Sequence, residues 1–115
     1  MRRLIASMLV TLALVGAVAA GSATAATTAV SVKAGEFYFK LSKGSLAKPG
    51  TVVFAVKNAG HIAHDLKIGG KKTPLIQPGR SAKLTVTFRK AGKYRYLCTV
   101  PGHAAQGMEG TFVVR

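Results

Sequence analysis

Residues 92–114 read GKYRYLCTVPGHAAQGMEGTFVV, a stretch that places two strand patterns on either side of an unusual loop. Before the loop, Tyr94, Tyr96 and Cys98 share one parity, so the thiol of Cys98 is predicted to point inward at the end of a core strand. The loop then brings His103 and Met108 at a regular spacing, Cys-x4-His-x4-Met. Three soft, electron-rich side chains in one short loop indicate a functional site at this end of the strand.

The rest of the chain also reads as short strands separated by turn signals such as Pro49-Gly50 and Pro78-Gly79. No segment shows sustained helical periodicity. The predicted strands are residues 29–34, 37–41, 51–58, 64–68, 82–88, 93–98 and 111–114. About seven to eight short strands at this spacing predict an all-β fold, built as an antiparallel sandwich or barrel.

Alternation of apolar and polar residues predicts which side chains face the core. In residues 82–90, AKLTVTFRK, the apolar positions Leu84, Val86 and Phe88 alternate with polar ones, as in a half-buried strand. In residues 64–68, HDLKI, His64 shares the parity of the apolar residues, whereas Asp65 does not. The pattern therefore predicts that His64 points inward.

Residues 1–25 have the pattern of a cleaved signal peptide. Arg2 and Arg3 precede an apolar run from Leu4 to Ala20, and Ala23-Thr24-Ala25 supplies a small-x-small cleavage site. A retained membrane anchor fits less well, because the apolar run is short and interrupted by polar residues. We therefore expect cleavage after Ala25, a single domain over residues 26–115, and export to the periplasm, the cell envelope or the extracellular medium.

The part of the chain after residue 25 is strongly basic. It keeps fifteen of the seventeen Lys and Arg residues against Glu36, Asp65 and Glu109, which gives a net charge of +12. This excess favours acidic partners, either a protein or an anionic envelope surface, although the charge also serves solubility. Export and the even scatter of the lysines argue against a nucleic-acid partner.

Cys98 has no second cysteine to pair with, although exported proteins meet oxidising conditions. As a nucleophile it would need an oriented base and a substrate cleft, neither of which is evident. A zinc site would want more thiolates or imidazoles, and thioethers suit zinc poorly. An inert buried cysteine is the alternative for an isolated residue. One cysteine, two histidines and one methionine instead match the ligand set of blue-copper electron-transfer sites.

The segment from Gly92 to Val114 closely resembles the copper-binding signature of the cupredoxins, the small blue-copper proteins such as plastocyanin, amicyanin and rusticyanin. Residues 58–66, NAGHIAHDL, are similar to their upstream histidine segment, and the resemblance covers nearly all of residues 26–115. It implies a Greek-key β-sandwich, the cupredoxin fold, carrying one type 1 copper. It also implies that His64, Cys98 and His103 are strong ligands and that Met108 is the axial ligand.

Three neighbouring residues bear on this assignment. His61 competes with His64 but lies in a turn and lacks the inward parity. Gln106 is an oxygen ligand candidate, as in plant relatives, but its spacing fits less well than that of Met108. Many relatives have asparagine where this chain has Asp65; the resemblance implies a link through Thr99 between the ligand loops, which a carboxylate can make only as an acceptor unless it is protonated.

The favoured function is an exported, one-electron carrier that uses Cu(I) and Cu(II) and acts as a monomer, not as an enzyme. Its expected partners are acidic redox proteins, a cytochrome or an oxidase. The alternative is a copper-binding or copper-delivery protein of the cell envelope, although such proteins tend to be rich in exposed Met or His. A third hypothesis, a multicopper redox enzyme, lacks the second histidine cluster and the length that a second copper domain needs.

Overall fold

The computed structural model describes residues 26–115, which form strands and one short helical turn. The predicted signal peptide, residues 1–25, lies outside the described residues. The strands in chain order are β1 Thr28–Gly35, β2 Tyr38–Leu41, β3 Ser45–Leu46, β4 Gly50–Asn58, β5 Lys67–Ile68, β6 Lys71–Lys72, β7 Ser81–Phe88, β8 Gly92–Leu97 and β9 Glu109–Val114. A single 3₁₀ turn, Ala104–Gln106, lies between β8 and β9. Among these residues no helix has the length and hydropathy needed to cross a membrane.

The strands form two sheets that face each other. One sheet has the order β2-β1-β4-β7, and the other has the order β3-β9-β8-β5-β6. β1 pairs in parallel with β4, and β3 pairs in parallel with β9, while the other pairs are antiparallel. The structure therefore confirms the predicted all-β Greek-key sandwich, but the expectation that its strands are antiparallel is wrong for the two parallel pairs. The predicted number of strands falls short only because two of the two-residue strands, β3 and β6, have no sequence pattern of their own.

The core lies between the two sheets and follows the predicted parity. Leu84, Val86 and Phe88 are buried, while the intervening residues of β7 are exposed. The rings of Phe54, Phe88 and Phe112 meet across the sandwich with centroids 5.5–6.4 Å apart. Large aromatic side chains bury much apolar surface and favour such offset and edge contacts, so this cluster holds the sheets at a fixed separation.

The predicted strand at residues 64–68 is only partly correct. Lys67 and Ile68 form β5, but His64 makes an isolated bridge with Ile76, whose N–H donates to the His64 carbonyl over 2.7 Å. Because the backbone is irregular between these two pairings, strict alternation fails there. Asp65 lacks the parity of the core-facing residues, yet it is only 3% exposed.

Candidate metal centre

Three side chains converge at one end of the sandwich. The Nδ1 atoms of His64 and His103 lie 3.1 Å apart, and the Sγ atom of Cys98 lies 3.5 Å from His103 Nδ1 and 4.0 Å from His64 Nδ1. All three residues are buried. Among the described residues they form a group whose donor atoms are close enough to hold a single metal ion.

The loop between β8 and β9 delivers Cys98 and His103. Cys98 comes directly after β8, and its N–H donates to the carbonyl of Met108 over 3.1 Å. The carbonyl of His103 accepts the N–H of Met108, also over 3.1 Å, so the loop closes on itself. Gly107 ends the 3₁₀ turn with a φ of 118°, a left-handed conformation that favours glycine. These bonds fix the backbone of all three residues that the Cys-x4-His-x4-Met spacing singled out.

His64 comes from a separate loop, which is anchored by the buried side chain of Asn58 at the end of β4. The Asn58 amide donates to the carbonyls of Ile62 and Ile76, both over 2.8 Å, and its oxygen accepts the N–H of Gly60 over 2.9 Å. The bonds to Ile62 and Gly60 close the 58–64 turn, and the bond to Ile76 ties this turn to the segment that pairs with His64. The inward position predicted for His64 is confirmed, since its side chain is fully buried.

Asp65 ties the two ligand-bearing loops together. Its Oδ1 atom accepts the backbone N–H of Thr99 over 2.6 Å, and its Oδ2 atom accepts the Thr99 hydroxyl over 2.5 Å. Because both donors belong to Thr99, the carboxylate makes the link as an acceptor and needs no proton. The predicted connection between Asp65 and Thr99 is therefore confirmed, and it holds His64 next to Cys98.

Burial sets the protonation of the two ligand candidates in the β8–β9 loop. It raises the pKa of the Cys98 thiol, while hydrogen bonds from the backbone N–H groups of Asp65 and Val100 act in the opposite direction. Burial, followed by the proximity of His64, lowers the pKa of His103 and keeps its imidazole neutral. A neutral imidazole is ready to bind a metal, whereas the thiol must release its proton on binding.

Glu36 is a site residue that sequence reasoning missed. Its Oε1 atom lies 3.2 Å from Nε2 of His64 and also accepts the backbone N–H groups of His61 and Ile62, over 2.6 and 3.0 Å. The hydrogen bond from the His61 N–H contributes most to lowering the pKa of this carboxyl to about 2. In the sequence, the only feature that distinguishes Glu36 is that acidic residues are scarce, since it is one of three in the chain.

His61 and Gln106, the competing candidates for metal ligands, lie outside the cluster. The side chain of His61 is 96% exposed, so the structure does not bring it into the cluster. Gln106 lies in the exposed 3₁₀ turn, whereas Met108 is fully buried beside the backbone of Cys98 and His103. Phe37 packs edge-on against His103 with ring centroids 5.0 Å apart. The burial pattern thus favours His64 over His61 and Met108 over Gln106.

The cluster fits a single thiophilic metal ion. When the Nε2 proton of His64 points to Glu36, its Nδ1 lone pair faces two other electron-rich atoms, which is unfavourable unless a cation or proton lies between them. Separations of 3.1–4.0 Å suit donors around one ion, since zinc bonds to imidazole nitrogen and thiolate sulfur are about 2.0 to 2.3 Å long. Two histidines, one thiolate and a buried thioether are the donor set that copper prefers.

Comparisons with known proteins agree with this chemistry. The family model for copper-binding proteins of the plastocyanin/azurin family matches residues 15–115. The chain is 27% identical over 143 aligned positions to the copper-resistant cuproprotein CopI of Pseudomonas aeruginosa, covering 81% of this chain and 79% of the relative.

Two solved structures show the same fold. Auracyanin from Roseiflexus castenholzii superposes with a TM-score of 0.66 at 25% identity, over 79% of this chain and 98% of auracyanin. The copper nitrite reductase of Nitrosomonas europaea matches with a TM-score of 0.62 at 19% identity, over 77% of this chain but only 41% of that enzyme. The family match, the two-sheet fold and the His–Cys–His cluster together show that the chain is a cupredoxin, a member of the plastocyanin/azurin family of copper-binding proteins.

Proposed function

We propose that this cupredoxin is a blue-copper electron carrier whose strong ligands are His64, Cys98 and His103 and whose axial ligand is Met108. The observation that carries the proposal is the buried convergence of two Nδ1 atoms and one Sγ atom within 4.8 Å of one another. Bound copper supplies a one-electron couple between Cu(I) and Cu(II). The similarity to auracyanins supports this choice, since auracyanin A of Chloroflexus aurantiacus is described as a blue copper protein.

The residues around the cluster keep its geometry constant. Asp65 bridges the two loops, Asn58 closes the upstream loop, and the backbone bonds of Met108 close the downstream loop. A site held by such supporting contacts changes little when the charge at its centre changes. A small rearrangement favours rapid electron exchange, so rigidity is the property that this chain's own residues contribute.

The visible and EPR spectra of the Cu(II)-loaded protein test the proposal directly. We expect an intense visible band, because a thiolate bound to Cu(II) mixes strongly with the metal, and a narrow copper hyperfine splitting. A reversible one-electron wave in voltammetry should accompany them. A colourless protein with a wide hyperfine splitting would contradict the blue-copper assignment.

The small residues around His103 indicate the route by which electrons enter and leave the site. Only 7% of the residue is exposed, and it is framed by the small residues Pro101, Gly102, Ala104 and Ala105. Short side chains at this position let a redox partner approach the ring closely. We therefore assign the His103 end of the sandwich as the electron port.

The alternative function is a copper-binding or copper-delivery protein of the cell envelope. The relative from Pseudomonas aeruginosa, described as a copper-resistant cuproprotein, favours it. A delivery protein must release its metal readily, whereas the three strong donors here are buried. Loss of copper to a chelator distinguishes the two functions: a carrier retains copper over hours, and a delivery protein gives it up within minutes.

We also propose that the chain is not an enzyme, despite its similarity in fold to a copper nitrite reductase. A likeness at 19% identity concerns the fold alone, and the chain covers less than half of that protein. Within residues 26–115, the metal-binding side chains form one cluster rather than the two that a multicopper enzyme uses.

The proposal that the protein is exported rests on the signal-peptide pattern of residues 1–25.

The surface charge supports an acidic redox partner. Lys40, Lys33 and Lys57 stand directly opposite one another on β2, β1 and β4, and all three are exposed. Neighbouring strands are about 4.8 Å apart, and like charges placed directly opposite are destabilising. The three acidic side chains of the described residues form their hydrogen bonds elsewhere. Glu109 bonds with Arg95, Asp65 with Thr99, and Glu36 with the loop that carries His64. We name Lys33, Lys40 and Lys57 the lysine row and propose that it steers a partner with complementary negative charge.

Neutralising the lysine row should slow electron exchange with an acidic redox protein at low salt. The triple variant Lys33→Gln, Lys40→Gln, Lys57→Gln is expected to lose about tenfold in the bimolecular rate, at the low end of the range that steering supplies. The difference from the parent should vanish as salt screens the charges. Stopped-flow kinetics at several ionic strengths measure both effects.

A matched control changes three exposed lysines outside the row, namely Lys43, Lys48 and Lys90. It has the same net charge and should lose much less. Equal losses in the two triple variants would show that overall charge, and not the lysine row, steers the partner. In the free protein the row variant should also be more thermally stable than the control, because the directly opposed charges are gone.

The axial position is tested by Met108→Leu. This variant should still bind copper and stay blue, but its reduction potential should rise, because a weak donor to Cu(II) has been removed. If Cu(II) binding weakens about tenfold relative to Cu(I), the rise is about 59 mV for this one-electron couple. Gln106→Ala is the control and should change the potential little; the reverse ranking would make Gln106 the ligand.

A further inference from the structure

The carboxylate of Glu36 lies behind His64, on the side of the ring opposite the metal cluster. Nε2 of His64 is 3.2 Å from Glu36 Oε1, while Nδ1 of the same ring faces Cys98 and His103. An ionised carboxylate can only accept, so Nε2 carries the proton and Nδ1 keeps its lone pair free. The contact thus selects the tautomer in which His64 can bind a metal through Nδ1.

The carboxylate is itself held in place. The N–H groups of His61 and Ile62 donate to the same oxygen that faces His64. A methyl group added at Gly60 would collide with both carboxylate oxygens, so glycine at this position leaves room for them. The orientation of Glu36 therefore depends on the 60–62 turn, a part of the fold distinct from the β1–β2 turn that carries Glu36 itself.

We propose that Glu36 is a positioning residue that sets the tautomer and donor strength of His64 and thereby stabilises Cu(II) relative to Cu(I). A carboxylate that accepts from a metal-bound imidazole raises the basicity of the ring, and the more basic ring favours the more highly charged ion. This inference rests on the proposed function, because it takes His64 as a copper ligand. It adds a residue 28 positions away from His64 to the determinants of the reduction potential.

The central test is Glu36→Gln. The amide oxygen can still accept the two backbone N–H groups, so the turn is retained while the charge is lost. We expect Cu(II) affinity to fall about 10- to 100-fold, the usual cost of removing such a partner. If Cu(I) affinity is unchanged, the reduction potential rises by about 59 mV for each tenfold loss. Redox titration measures the potential, and competition with a chelator measures the affinity.

Glu109→Gln is the matched control for the loss of one negative charge. Glu109 pairs with Arg95 on the outside of the protein and does not contact His64. Its removal should leave the potential nearly unchanged. A shift in Glu36→Gln no larger than that in Glu109→Gln would overturn the proposal, because long-range charge alone would then account for it.

A second variant moves the carboxylate without changing any charge. Gly60→Ala should push Glu36 away from the 60–62 turn, and so raise the potential in the same direction as Glu36→Gln, by a smaller amount. Gly44→Ala serves as its control, because no atom lies within 4 Å of the added methyl group. An unchanged potential in Gly60→Ala, with a crystal structure showing Glu36 displaced, would contradict the proposal.

The tautomer can be observed apart from electron transfer. In the diamagnetic Cu(I) form, ¹⁵N spectra of the histidines should show a proton on Nε2 of His64 and none on Nδ1. The opposite tautomer would overturn the inference. Failure here is distinguishable from failure of the proposed function, because a parent protein without a blue spectrum refutes the function itself. If the parent protein is blue but Glu36→Gln leaves its reduction potential unchanged, only the role of Glu36 is refuted.

Discussion

The Cys98→Ser variant is expected to lose the intense visible band of the copper-loaded protein completely. The band arises from charge transfer between thiolate sulfur and Cu(II), and a serine hydroxyl remains protonated and binds copper weakly. Cys98 is buried, and its Sγ atom lies 3.5 and 4.0 Å from the two Nδ1 atoms, so the thiolate is within reach of an ion that both imidazoles bind. Absorption and EPR spectra of parent and variant after identical copper loading make the comparison.

Loss of colour must be separated from loss of fold. Serine is close to cysteine in size, and the backbone bond from Cys98 to Met108 does not involve the side chain. We therefore expect circular dichroism of the metal-free variant to match that of the metal-free parent. A Cys98→Ser protein that folds and keeps its visible band would show that the colour has another origin and that the site is wrongly assigned.

The second large effect is expected at His64, with His61 as its natural control. His64→Ala removes one of three strong donors from a buried site, so the visible band and tight copper binding should be lost. His61→Ala should keep both, because its side chain is 96% exposed. Changes at such surface positions usually alter stability by about 0.5 kcal/mol or less. Copper titration followed by absorption measures the difference.

Added imidazole provides a further check on His64→Ala. The truncated side chain leaves a space beside the cluster, and a free imidazole of the right size can enter it and restore part of the band. Rescue of His64→Ala but not of Cys98→Ser would show that a missing donor, and not a collapsed fold, causes the loss. If His61→Ala and His64→Ala lose the visible band and copper binding equally, this would contradict the choice of His64 over His61, which strand parity and burial both support.

Much of the site was predictable because its signals are local. Cys98, His103 and Met108 lie in one loop, where their spacing is readable without any knowledge of the fold. The inward direction of His64 and Cys98 follows from alternation, which depends only on the geometry of an extended chain. The structure brings His64, Cys98 and His103 together as expected, while their role as ligands stays a prediction for the variants to test.

The strand alternation also failed at an identifiable place. Asp65 lacks the parity of the core-facing residues, yet it is buried and bonded to Thr99. Regular alternation requires a regular ladder, and the ladder is interrupted between the His64–Ile76 bridge and β5. A period-two pattern cannot detect such an interruption, because its cause is a pairing between distant segments.

The amino-acid sequence by itself determined the all-β class, the core faces of the long strands and the loop that carries three of the four proposed ligands. Only the tertiary structure decided that Glu36 supports His64, and it confirmed the link between Asp65 and Thr99 that the family resemblance implied. Glu36 meets His64 across 28 positions, and Asp65 meets Thr99 across 34. Side-chain periodicity reports the direction of a residue within its own strand, whereas these contacts depend on how separate loops meet at one end of a sandwich. That meeting is set by strand register and by packing between sheets, which no local pattern encodes.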